Sequence, residues 1–152
     1  MKTSSPSIER IGFKVGFITF LSLVAYFMIM KFLGLSQVLE LRFFNIVILA
    51  IGICYGINKF KRALQEPEFY LKGWGVGTFV SVVSIVLFAL FMSLYLSYFD
   101  APLMQHIRET TTLGFTVGSG LDVFFAVFME GMASAVVITL AAMQYFKSEG
   151  KV

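Results

Sequence analysis

One acidic side chain, Glu130, lies near the middle of an apolar segment at about 121–145. Asp122 stands eight residues before it and Ser134 four residues after it. In a helix of 3.6 residues per turn these three share a face, with Ala126 between the two acids. A carboxylate near a bilayer centre costs on the order of 2.5–3.5 kcal/mol on insertion scales. Glu130 is therefore expected to face other helices or water and not lipid. Two chemistries are open. In the first, Glu130 exchanges a proton or holds a cation, with Asp122 at the outer entrance. In the second, Glu130 is hydrogen-bonded to serines of the preceding apolar segment, Ser81 or Ser84, and holds helices in register. Asp122 then sits at headgroup level beside Arg42. A proton relay would need more intramembrane polar groups than Asn45 and Lys14, the ones that the first two segments offer.

Other reactive residues are scattered. His106 is the one histidine, and it lies in a polar stretch near Arg108, Glu109 and the run Thr110, Thr111, Thr112. A hydrolase acting on lipid would have to be built from Asp100, His106 and Glu109. No nucleophile elbow, zinc-protease helix, phosphate loop or dinucleotide fingerprint occurs. Gly73, Gly75 and Gly77 alternate, but no strand precedes them, so a phosphate-binding role is not expected. Cys54 is the one cysteine. It cannot form an intrachain disulfide and reads as a buried thiol inside an apolar run. The 18 Phe and 8 Met read as packing or lipid-facing groups. No cofactor and no metal site are expected, because paired intramembrane histidines and Cys/His ligand spacing are both missing.

The elements that must position these residues are legible from composition. Of 152 residues, 58% are hydrophobic and 14% charged. Soluble domains are closer to about 45–50% apolar and about 25% charged. The excess is gathered into four blocks, expected as helices at about 11–33, 42–58, 71–98 and 121–145. The chain is thus read as one domain, 1–152: all-α, an integral membrane antiparallel four-helix bundle. Lys2, Arg10 and Lys14 precede an apolar run too long for an ordinary cleavable leader, so the first span is expected to remain. The third block exceeds the ~20 residues that a crossing needs, and is expected to tilt or protrude. Short links at 34–41 and 59–71 suit neighbouring helices, and Pro67 interrupts the second link. The longest polar connection is 100–120.

Small residues recur four apart: Gly12 with Gly16, Gly52 with Gly56, Gly73 with Gly77, and Gly131 with Ala135. Such pairs let helix backbones approach closely within a bundle or between copies. Four spans put both ends on one side. That side would hold Lys2, Arg10, Lys14, Lys59, Lys61, Arg62, Lys72, Lys147 and Lys151, and the other Lys31, Arg42 and Arg108. Positive charge collects on the cytoplasmic side of membrane proteins, so both termini are expected there. The net charge of +3 therefore reads as an orientation signal, with no nucleic-acid partner implied.

The stretch Phe128-Met129-Glu130-Gly131-Met132-Ala133-Ser134, through Met143-Gln144-Tyr145-Phe146-Lys147, resembles the closing segment of a group of small four-helix membrane proteins common in Bacteroidetes, domain of unknown function 4199. The resemblance implies a bacterial inner-membrane protein and carries no catalytic residues. Taken together, these readings point to a non-enzymatic accessory or scaffold subunit, partnered by the bilayer and by other membrane subunits or copies of itself. The alternative is a small proton- or cation-coupled carrier or channel centred on Glu130.

Overall fold

Long runs of Leu, Ile, Val, Phe and Met favour unbroken helix when proline is kept out, and none of Pro6, Pro67 and Pro102 belongs to the described helices. A computed structural model describes residues 8–34, 39–63, 69–99 and 120–148; the side chains of 39–42, 63, 69–70 and 146–148 lie outside that description. Its helices are α1 (Ile8–Phe32), α2 (Leu39–Ala63), α3 (Phe69–Tyr98) and α4 (Gly120–Ser148). All four are long and apolar enough to cross a membrane. At 1.5 Å per residue α2 is about 38 Å long and α3 about 45 Å, against a hydrocarbon core of ~30 Å.

The helices outrun their apolar blocks. The second block ends at Asn58, but α2 continues through Lys59, Phe60, Lys61 and Arg62 to Ala63. Hydropathy marks where side chains leave an oily environment. The backbone ladder ends only where its hydrogen bonds do, and lysine and arginine stems extend along a helix end without breaking it. At α1 the end is explicit. Gly34 adopts φ of 71°, a left-handed conformation that costs glycine little, and its amide donates to the Lys31 carbonyl at 3.0 Å.

Packing centres on α3, which touches each of the other three helices, whereas α1 and α4 share no contact among the described residues. Glycine sets the closeness. A Cβ placed on Gly16 would lie 2.9 Å from Val83 Cβ and 3.1 Å from the Val80 carbonyl oxygen, so α1 and α3 meet nearly backbone to backbone. A Cβ on Gly52 would run into the Thr19 side chain of α1. Gly12 packs on Phe79, Gly56 on Val80, Gly77 on Thr139 and Gly131 on Ile85. Gly73 is buried, and Ala135 is 2% exposed.

Two clusters fill the interior. One joins Val15, Ile53, Ile57, Phe60, Val76 and Val80 with Ala135 and Met143. The other joins Leu23, Phe88, Met92, Leu96 and Val123. Outside them the molecule is also apolar. Phe13, Ile18, Phe43, Ile51, Leu94, Phe125 and Val137 are all exposed. A water-soluble bundle would place charge at such positions.

Candidate functional site

The inward stripe of α4 is set by helical spacing: Val123, Ala135, Thr139 and Met143 are buried against the bundle. The Asp122–Ala126–Glu130–Ser134 row is displaced from it by roughly one residue, or about 100°. This rotation carries Glu130 and Ala126 onto the exposed flank, while Asp122 and Ser134 are half-buried. Phe124 stacks on Phe128 at 5.9 Å and meets Phe125 edge to face at 5.6 Å, so aromatic rings cover much of this end of the helix.

The five polar residues singled out in the sequence do not form one cluster. Ser134 donates its hydroxyl to the Glu130 backbone carbonyl at 3.0 Å, an ordinary i−4 back-bond. Ser81 and Ser84 belong to the interior of α3 and are 1% and 0% exposed. Ser81 donates to the Gly77 carbonyl at 2.7 Å. Ser84 shares its proton between the Val80 carbonyl at 2.7 Å and the Gly16 carbonyl of α1 at 2.9 Å. Both serine hydroxyls thus donate to backbone carbonyls. The physical reason is reach. A serine hydroxyl is satisfied by a carbonyl one turn back, whereas Glu130 points from the flank of α4 and not from its buried stripe. Glu130 and Asp122 each have contacts of their own within the chain. The Arg42 side chain proposed beside Asp122 lies outside the described residues, as do Asp100, His106, Arg108, Glu109 and the threonine run.

Other buried hydroxyls follow the serine pattern. Thr19 donates to Val15 at 2.9 Å. Ser93 crosses from α3 to the Gly120 carbonyl of α4 at 2.7 Å and ties the start of that helix. None of these groups is an acid or base at ordinary pH. Ser93 fastens two helices, whereas Thr19 is satisfied within its own.

Sequence reasoning missed two further features of the bundle. Lys31 of α1 hydrogen-bonds the Tyr95 hydroxyl of α3, and its ammonium lies 4.4 Å from the centre of the same ring. Tyr95 in turn stacks on Phe91 and Phe99, each at 5.7 Å, and takes Phe27 edge-on at 5.4 Å. The signal available was a lysine and a tyrosine at the same ends of blocks one and three. The second feature is Asn45, whose Oδ1 is buried without a hydrogen-bond partner among the described residues.

Among the described residues no group of three or more His, Cys, Asp or Glu side chains could hold a metal ion. Compared with protein-family models, curated proteins and solved structures, the chain matches none.

Proposed function

We propose that this is an integral protein of a bacterial inner membrane that serves as a non-enzymatic accessory or scaffold subunit, joined through the flank of α4 to another membrane subunit or to a second copy. The observation that carries this reading is the placement of Glu130. It is exposed on the side of α4, among the exposed apolar residues Phe125, Met129 and Val137. Its contacts within the chain leave it exposed, and a carboxylate facing lipid there carries a penalty of on the order of 2.5–3.5 kcal/mol. A neighbouring helix packed on this flank takes the carboxyl out of lipid and removes that penalty. The small exposed residues Ala126 and Ala133 let such a helix approach.

Membrane embedding is supported by the apolar exterior and by four helices of spanning length. An antiparallel order is supported by contact register: Gly52 lies against Thr19 and Gly56 nearer Val15, while Gly120 lies against Ser97, Gly131 against Ile85 and Gly77 against Thr139. Cytoplasmic termini are supported by the nine basic residues assigned to that side. The length and four-helix plan also suit kinship with the domain of unknown function 4199 group.

Purification in mild detergent tests the assembly. The expected result is a particle heavier than one chain, or a co-purifying membrane subunit, and Glu130→Leu should release it. A strictly monomeric particle without a partner would overturn the reading. So would a pH-dependent flux in liposomes that Glu130→Gln abolishes, since that behaviour belongs to the carrier alternative.

A further inference from the structure

Among the described residues a surface groove runs along one side of α2, and Glu130 does not line it. It measures about 400 Å³ and is lined by Ala50, Ile51, Cys54, Tyr55 and Asn58. Helical spacing explains its shape. Ala50, Cys54 and Asn58 recur four apart and make a half-buried floor, while Ile51 and Tyr55 stand exposed as the wall. The small side chains at 50 and 54 leave the depression. Eight residues of helix give it a length of about 12 Å, close to the ~15 Å depth of one leaflet of a ~30 Å core.

One end of the groove is charged. Lys59 is exposed, and its ammonium lies 5.7 Å from the centre of the Tyr55 ring. Lys61 and Arg62 follow in the last turn of α2. Cation, amide and phenol thus gather where the apolar trough stops. This is the order of parts in a phospholipid that carries net negative charge: a chain, a glycerol-level polar region, then an anionic headgroup. Basic clusters at the ends of membrane helices attract such headgroups.

We propose that the α2 groove is a binding site for one anionic phospholipid, with an acyl chain along Ala50, Ile51, Cys54 and Tyr55 and the phosphate held at Asn58 and Lys59. The site rests on the membrane placement argued above and is independent of the α4 assembly. A protein helix is a poorer occupant, because the charged end of the trough asks for an anion.

Native mass spectrometry of the whole protein, released from nanodiscs of equal phosphatidylglycerol and phosphatidylcholine, tests it. A lysine near the surface is worth about a factor of five in affinity for anionic lipid. Wild type should therefore retain phosphatidylglycerol over phosphatidylcholine by about that factor. Lys59→Gln should bring the ratio near one, and Ala50→Phe, which fills the floor, should lower retention of both lipids. Lys14→Gln removes an exposed cation from α1 and should leave the ratio unchanged. Circular dichroism confirms that each variant is helical. Equal retention by wild type overturns the proposal, as does a preference that survives Lys59→Gln or falls equally with Lys14→Gln. A chain that holds no lipid of either kind and stays dissolved without detergent would instead sink the membrane placement itself.

Discussion

Helices α3 and α4 are similar in length and composition, yet they treat polar groups in opposite ways. Within the spanning stretch 39% of α3 is buried, against 17% of α4. The polar groups of α3, Ser81 and Ser84, lie at its centre and are satisfied by carbonyls. The carboxyl of α4 at mid-helix, Glu130, stays on the flank, while the Thr139 hydroxyl of the same helix is buried. A hydroxyl can enter a tight apolar bundle because a backbone acceptor is always within one turn. A carboxylate brings up to four acceptor sites and no donor of its own when ionised, and backbone carbonyls cannot serve it. The buried hydroxyls of this protein are thus ones that backbone carbonyls satisfy, and Asn45 Oδ1 is the exception among the described residues. The Glu130 carboxyl is instead left on the exposed flank of its helix.

The contrast can be broken most forcefully at Gly16. Gly16→Leu drives a side chain into Val83 and the Val80 carbonyl and should destabilise the bundle by roughly 1–3 kcal/mol or more. Ala133→Leu on the exposed flank of α4 should leave the stability of the single chain unchanged and weaken assembly. Denaturation by SDS in mixed micelles, followed by circular dichroism, compares the two. Equal losses would mean that the flank of α4 is packed within the chain after all.

A change of the same order but opposite sign is expected at Asn45. Leaving a buried acceptor unsatisfied costs about 1–3 kcal/mol, so Asn45→Leu should raise stability in the same titration. A loss would show that the amide has a partner in the parts of the chain beyond the described residues. A smaller effect is expected at Ser84, which joins α3 to α1. Ser84→Ala should cost about 0.6 kcal/mol and at most about 1.7, the span measured for hydrogen bonds between membrane helices. Ser134→Ala, which removes only a back-bond on the flank, should cost less than Ser84→Ala. The smallest effect on stability belongs to Glu130→Gln, whose unfolding midpoint should match wild type. Gln still donates and accepts, so its assembly in mild detergent should also persist, whereas Glu130→Leu should lose it.

Much of this architecture was legible beforehand. Four blocks of apolar residues, with every proline outside them, announce four helices, because a bilayer-length run of Leu, Ile, Val and Phe has few other ways to satisfy its backbone in an oily setting. The glycine pairs were legible as places of close approach, and Gly16 and Gly52 meet α3 and α1 respectively. The end of α2 was not, since Lys59 reads as a boundary while the helix runs to Ala63. The Lys31–Tyr95 contact was not either. It joins residues 64 apart in the chain, and no helical period links them.

Residue order alone determined that Asp122, Glu130 and Ser134 share one face of one helix, because 3.6 residues per turn is a property of the backbone. Which way that face points depends on the rotation of α4 about its own axis. That rotation is decided by Val123, Ala135, Thr139 and Met143 sinking into the surface of the bundle. Only the assembled tertiary structure places Ser84 against Gly16 and leaves Glu130 on the outside, since a rotation of about 100° exchanges interior for exterior without altering a single local preference.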